Sequence, residues 1–351
     1  MVNSARSLGV ILSSNDLVAR PVIIAEIGIN HGGSISTAKK LADMAAESGA
    51  DVIKSQIHIP DSEMSSEAGQ LVTPYLGGSI YDLIRDCALS IDEEFMLKEH
   101  IHSLGKEYLA TPFSVEALNH LIQFGVDTIK IGSGESMNLP FMEIVANANK
   151  NLLVSTGMAG FAEIDVIYEM LCERLVNFGF LHTTNSYPTP PDAVRLGVLA
   201  KMRERYPGVI VGLSDHTVNN LSSYVALGLG AKVIERHFTD TRDRCGPDIA
   251  NSMTPDELKD LVSAAADIPA MLGEEKFCHP VERDVATFAR QSVVATMDIQ
   301  PGDLLGPNNI WLKRPGNGDF LHNDYKNLFG KRVSVAVAKG TQLRKSDIQL
   351  D

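Results

Sequence analysis

From Val22 onward, short runs rich in β-branched residues alternate with longer stretches of helical period, and this alternation constrains the fold more than any other feature. The runs Val22–Gly28, Asp51–Ile57, Glu107–Phe113, Asp127–Ser133, Asn151–Gly157, Gly179–Thr184, Val209–His216 and Lys232–Phe238 read as strands. Between them Ser34–Ser48, Asp92–Leu104, Ser114–Phe124 and Val218–Leu229 read as helices, the second opened by a Ser90/Asp92 cap signal. Parallel strands need a crossover, and a helix supplies it. Eight such units predict a closed (β/α)8 TIM barrel, which takes about 250 residues. An open doubly wound sheet is the runner-up, but the turn Gly28-Ile29-Asn30-His31-Gly32-Gly33 does not fit the GxGxxG dinucleotide fingerprint.

After residue 280 the texture changes, with shorter strands and clustered Pro and Gly. The stretch Ile299–Leu305 leading to Ile310 is echoed by Val337–Leu343 leading to Ile348, at a constant offset (337 − 299 = 38; 348 − 310 = 38). Two copies of a turn-plus-strand unit predict a small pseudo-symmetric β domain. The expected organisation is a lead-in over 1–20, disordered or strand-forming, a barrel over 21–280, and a linker with the β domain over 281–351. Lys313-Arg314-Pro315-Gly316-Asn317-Gly318 makes a cationic turn, which by itself reads as a solvated loop.

Composition narrows the function. With 44% hydrophobic residues and no uncharged run near the ~18 needed for a membrane span, the 351-residue chain reads as globular and soluble. A net charge of −13 opposes non-specific attraction to nucleic acid or anionic membranes, so an anionic ligand needs local cations. Cys87, Cys172, Cys245 and Cys278 form no CxxC pair, and the first twenty residues lack a long apolar core, which fits a reduced cytoplasm.

In a barrel the C-terminal strand ends build the active site. Here they read Glu26, Lys54 with Gln56, Thr111, Lys130 with Ser133 and Glu135, Ser155, Asn185, Ser214-Asp215-His216, and Glu235 with His237. Such a concentration of polar side chains in otherwise apolar runs predicts one shared polar pocket. Lys54 and Lys130 suggest a phosphate, with Thr111, Ser133, Ser155, Asn185 and Ser214 as added donors; a salt-bridge network with nearby Glu is the alternative. His216 and His237, at neighbouring strand ends, suit a weak, exchangeable divalent-metal site completed by water, or else two hydrogen-bonded core histidines.

The strings Ile24-Ala-Glu26-Ile-Gly28-Ile-Asn30-His31-Gly32, Lys130-Ile-Gly-Ser133-Gly-Glu135, Ser155-Thr-Gly157-Met158, Tyr187-Pro-Thr-Pro190, Gly212-Leu-Ser-Asp-His216-Thr217, Glu235-Arg-His237-Phe238-Thr239 and Arg314-Pro-Gly316-Asn317-Gly318 together resemble bacterial sialic acid (N-acetylneuraminate) synthases, and the tail resembles their antifreeze-like SAF domain. The resemblance implies a transferase that condenses phosphoenolpyruvate with an N-acylated mannosamine-type sugar and releases phosphate. It implies that Lys54, Thr111, Lys130, Ser133, Ser155, Asn185 and Ser214 hold phosphoenolpyruvate. His216 and His237 would bind a divalent metal, Mn2+ foremost, with Mg2+ or Co2+ as alternatives. Glu26, Gln56, Tyr187 and Asp248 would face the sugar, and Arg314 would reach its acyl group from a homodimer partner whose SAF domain is exchanged. Glu26 and Glu135 are the candidate proton carriers.

Three positions depart from the N-acetylneuraminate synthase pattern. Ser55 stands where His is frequent, Ser136 follows Glu135 where Cys is common, and the loop Thr73-Pro74-Tyr75-Leu76 lacks a sugar-contacting Asn. The acceptor is therefore read as N-acetylmannosamine, with a 6-deoxy-2,4-diacetamido sugar leading to legionaminic acid as the alternative. More distant readings are a Schiff-base aldolase or lyase through Lys130 and a non-enzymatic carbohydrate- or ice-binding protein.

Overall fold

In the computed structural model, which describes residues 7–14, 20–71 and 78–349, all eight expected strands form: β1 (Val22–Glu26), β2 (Val52–Ile57), β3 (Glu107–Pro112), β4 (Thr128–Ile131), β5 (Asn151–Ser155), β6 (Phe178–Thr183), β7 (Ile210–Asp215) and β8 (Val233–His237). They pair in the order β3-β2-β1-β8-β7-β6-β5-β4, every pair parallel, and β3 packs against β4 to bring the sheet round into a nearly closed TIM-like barrel. The loop 73–76 lies outside the described residues.

Because side chains alternate across a strand, each strand divides its residues between barrel interior and helix layer. Val22, Ile24, Val52, Leu109, Leu153, Leu181, Ile210 and Val233 form an apolar layer at the strand starts. Two or four residues further along the same inward rows stand Glu26, Lys54, Thr111, Ser155, Ser214 and His237, so the interior turns from apolar to polar towards the strand ends.

The apolar end needs a cover, and the N-terminal segment provides it. Residues Leu8–Ser14 form a helix whose Leu8, Ile11 and Leu12, at i, i+3 and i+4, pack into that layer. This corrects the expectation of a disordered or strand-forming lead-in: burying three such side chains contributes roughly 1.5–3 kcal/mol each, enough to order a helix too short to be stable alone. The Leu8 N–H donates to Glu107 Oε2 at 2.6 Å, satisfying one of the helix's free donors. Gly179 faces Leu12, where a Cβ would come within 2.8 Å of Leu12 Cδ2.

The outer helices follow their caps. Ser90 and Glu93 form a capping box on the helix Ile91–Ser103, and Ser34 caps Ile35–Glu47. The helix expected from Val218 begins at Leu221, because Asn219 Oδ1 takes the Leu221 N–H and Thr217 Oγ1 donates to the Asn219 carbonyl, which holds 217–220 as a turn.

The chain divides into two compact units, Met1–Gly273 and Glu274–Asp351. In the second, β9 (Ser292–Ala295) and β10 (Ile310–Lys313) pair antiparallel around a core that includes Ile299, Leu305, Val333, Val337 and Leu343. The repeat offset acquires a structural meaning here: Ile299 and Val337 exchange both backbone hydrogen bonds at 2.9 Å, so equivalent residues of the two copies pair with each other. Among the described residues no helix is long and apolar enough to cross a membrane.

Candidate active site

The strand ends of the first unit gather two lysines and two carboxylates into one hydrogen-bonded cluster. Lys54 Nζ lies 2.7 Å from Glu26 Oε2 and 3.9 Å from Glu235 Oε1, and donates to Thr111 Oγ1 at 3.3 Å. Lys130 Nζ donates to Ser155 Oγ at 2.7 Å and to the Ile131 carbonyl at 3.1 Å, with Glu235 Oε1 at 3.8 Å. Ser214 Oγ donates to the same Glu235 oxygen at 3.1 Å. Glu235 therefore joins both lysines, a role the linear sequence did not assign to it. The salt-bridge network weighed as an alternative is present, and it leaves Glu235 Oε2 buried without a hydrogen-bond partner.

Burial and charge set the protonation of this cluster in opposite directions. Burial pushes Glu26 up to about 7 against the pull of Lys54. It also pushes Lys130 down to about 8, aided by the like charge of Lys54, whereas in Lys54 the carboxylates of Glu235 and Glu26 outweigh burial and raise it. Glu235 resists burial because both lysines face it and is held below the usual carboxylate range.

Ser133 and Asn185 meet beside this cluster at Gly157. The Gly157 N–H donates to Ser133 Oγ at 3.1 Å, and a Cβ on Gly157 would lie 1.8 Å from Asn185 Oδ1 and 2.7 Å from Ser133 Oγ. Only a glycine lets both side chains approach. Glu135, on the short helical turn Ser133–Ser136, is raised by burial.

His216 and His237 lie with ring centroids 5.5 Å apart, and the Tyr187 ring packs 4.3 Å from His216 and 6.1 Å from His237. His216 Nδ1–H donates to the Thr184 carbonyl at 2.9 Å, which fixes the tautomer and leaves Nε2 as a lone pair. His237 Nδ1 is buried without a hydrogen-bond partner, 3.5 Å from Asp248 Oδ2. Burial holds His216 down at about 4 and His237 at about 3, while it raises Asp248 to about 6. Two neutral imidazoles with unused nitrogens fit the donor set of a divalent transition metal, with the remaining positions left to water or substrate. Among the described residues no group of three or more His, Cys, Asp or Glu is arranged to hold a metal.

One sequence expectation shifts. Asp215 was read with the polar strand ends, but its carboxylate points into the helix layer, where it accepts from Ser222 Oγ at 2.5 Å and Ser223 Oγ at 2.6 Å and faces the buried Arg236 guanidinium at 3.8 Å. Strand alternation explains this, since Asp215 lies between the inward Ser214 and His216. Arg314 belongs to the second unit, where its Nε–H donates to the Ala289 carbonyl at 3.1 Å and its guanidinium lies 5.7 Å from the Phe288 ring centroid.

Comparison with known proteins follows the same division. The NeuB family model matches residues 41–277 and the SAF domain model matches residues 290–349. The chain is 35% identical to the N,N'-diacetyllegionaminic acid synthase of Campylobacter jejuni over 85% of its own length and 92% of that protein. It is 32% identical to human N-acetylneuraminate-9-phosphate synthase over 90% of its length and 89% of that protein. A crystal structure of N-acetylneuraminic acid synthetase from Leptospira borgpetersenii in complex with citrate superposes with a TM-score of 0.68 at 28% identity, covering 76% of this chain and 90% of that one.

Proposed function

Because the chain belongs to the NeuB family and is thus an enzyme of the sialic acid synthase type, we propose that it condenses phosphoenolpyruvate with an N-acylated mannosamine-type sugar, giving a nine-carbon 2-keto acid and phosphate. The observation that carries this reading is the convergence of Lys54, Lys130 and the hydroxyls of Thr111, Ser133, Ser155 and Ser214 at one barrel mouth beside two neutral histidines. That set matches a substrate bearing both a phosphate and a carboxylate.

In this reading Lys54 and Lys130 hold the anionic groups of phosphoenolpyruvate, and the hydroxyls with Asn185 orient it. Glu26, Gln56, Tyr187 and Asp248 face the open-chain sugar. His216 and His237 would hold the divalent metal, which when bound supplies Lewis-acid polarisation of the sugar aldehyde. The enol C3 attacks the aldehyde carbon, water adds to the oxocarbenium at C2, and the C–O bond breaks to free phosphate. Glu26 and Glu135 are the groups within the mouth that can move the protons of these steps.

For the acceptor, N-acetylmannosamine is the first reading and a 6-deoxy-2,4-diacetamido sugar the second. The Campylobacter relative favours the second. Lys130 as a Schiff-base nucleophile gains some support from its lowered pKa. Its Nζ is, however, already engaged by Ser155 and the Ile131 carbonyl, which opposes attack on a carbonyl carbon. Arg314 would contact the sugar's acyl group across a homodimer. Val285 and Phe288, exposed at 65% and 67% on the segment beside Arg314, support a second copy as the occupant of that face.

The test is phosphate release from phosphoenolpyruvate in the presence of manganese, run across both sugars. Release dependent on one sugar and lost with chelator is expected. A borohydride-trapped pyruvyl adduct on Lys130, or no release with any such sugar, would reject the reading.

A further inference from the structure

Lys54, Gln56 and His58 stand at i, i+2 and i+4, so strand alternation sends all three inward, with His58 one residue beyond the end of β2. The His58 ring is buried and stacked on Phe113, with centroids 4.2 Å apart and planes 12° from parallel, so it cannot swing. Both ring nitrogens are engaged. Nδ1 lies 2.9 Å and 3.2 Å from the two carboxyl oxygens of Glu63, the last residue of the helical turn Pro60–Glu63, and the Glu63 side chain is only 7% exposed. Nε2 lies 3.0 Å from Gln56 Oε1. The Gln56 amide in turn donates from Nε2 to Glu26 Oε1 at 2.6 Å, and the other Glu26 oxygen holds Lys54.

A primary amide offers donors at one end and acceptors at the other. With its NH2 committed to Glu26, Gln56 presents its oxygen to His58, so His58 Nε2–H donates there and Nδ1 faces the Glu63 carboxyl. We propose that Glu63 and His58 form a buried positioning dyad that fixes the orientation of the Gln56 amide and, through it, the carboxylate of Glu26 that faces the acceptor sugar. Neither dyad residue was singled out from the sequence as a site residue. The dyad acts first on the sugar half of the mouth, because the chain runs from Glu63 through His58 and Gln56 to Glu26 and reaches the phosphoenolpyruvate side only at one remove, through the Glu26–Lys54 ion pair. This assignment of roles rests on the condensation reading given above.

Three variants test it: His58→Phe keeps the stack on Phe113 but removes both ring nitrogens, His58→Gln restores a side-chain N–H donor, and Glu63→Gln keeps an acceptor while removing the charge. For His58→Phe, kcat/KM for the sugar should fall on the order of 10–100-fold, as for partners that orient reacting groups at one remove, with KM for phosphoenolpyruvate little changed. His58→Gln should recover part of the loss and Glu63→Gln should lie between. Equal losses on both substrates, or His58→Gln no better than His58→Phe, would overturn the dyad. Wild-type phosphate release with any such sugar tests the condensation reading separately. A crystal structure of His58→Phe is informative whatever the activity: the Gln56 amide is expected to leave Glu26, and a Gln56 still bonded there would refute the proposal.

Discussion

Glu94 gives the sharpest test of the forces that hold the barrel together. It sits on the helix Ile91–Ser103, 1% exposed, and faces the sheet, where Tyr108 of β3 donates its hydroxyl to Glu94 Oε1 at 2.6 Å. Burial raises its carboxyl from 4.5 to about 7, against the hydrogen bond from Tyr108 that favours the charged form. The sign follows from linkage. The folded state holds the proton more tightly than the unfolded chain, so the stabilisation is fully present below pH 4.5 and is lost as the pH rises towards 7. At ~1.4 kcal/mol per pH decade, the interval from 4.5 to about 7 amounts to a loss of about 3 kcal/mol, complete by pH 8.

Glu94→Gln removes this titration while keeping an acceptor for Tyr108. In urea unfolding, the variant should be the more stable by about 1 kcal/mol at pH 5 and by about 3 kcal/mol at pH 8. Comparing the two proteins at each pH cancels every other titrating group. The same difference at both pH values, or a variant less stable at pH 8, would show that Glu94 is not held neutral by burial.

His237→Ala should nearly abolish condensation while phosphoenolpyruvate still binds, measured by turnover and calorimetry; wild-type rate in metal-free buffer would contradict the metal assignment. Lys54→Ala should weaken phosphoenolpyruvate by at most about 1.5–3 kcal/mol, the worth of one charge-assisted bond before the lost pairing with Glu26 is set against it, and a defect confined to the sugar would count against its role. If Arg314 acts across a homodimer, mixing inactive Lys54→Ala with inactive Arg314→Ala and allowing exchange should restore activity, since one site of each mixed dimer is then intact. No recovery despite demonstrated exchange would place Arg314 at its own barrel.

The barrel was legible because its inward rows are written twice, once in apolar residues at the strand starts and again in polar ones at the ends. Val22, Ile24 and Glu26, or Val233, Glu235 and His237, carry fold and site in one alternation. The 38-residue repeat likewise marks two equivalent units, and the structure adds that Ile299 of one pairs with Val337 of the other. What escaped depends on contacts that close over long loops. Leu8, Ile11 and Leu12 have helical spacing, yet nothing local says that a barrel end will bury them. His58 continues the inward row of β2 and could have been found by extending the alternation one step. Glu63 could not, since a single helical turn decides where its side chain points. Asp215 is the converse case: its polarity at a strand end points to the mouth, while the parity of its position sends it to the helix layer.

The charge pattern at the mouth also bears on how an anion would be held. Lys54 and Lys130 are buried, and without counter-charges their desolvation would be prohibitive, so Glu26 and Glu235 are part of what keeps the barrel mouth folded. An arriving phosphate therefore meets lysines that are already partly neutralised. Its affinity is the difference between lysine–phosphate and lysine–carboxylate pairing, which is smaller than either alone. The hydroxyls of Thr111 and Ser155 now accept from the two lysines, and an anion that takes over those ammonium groups frees them to turn as donors. Among the described residues Ser133 Oγ accepts only from the Gly157 N–H, so its own proton would be available to an anion at no loss of an ion pair. In that reading the short polar side chains would discriminate among anions to a degree that the lysines, facing buried carboxylates, cannot supply by charge alone.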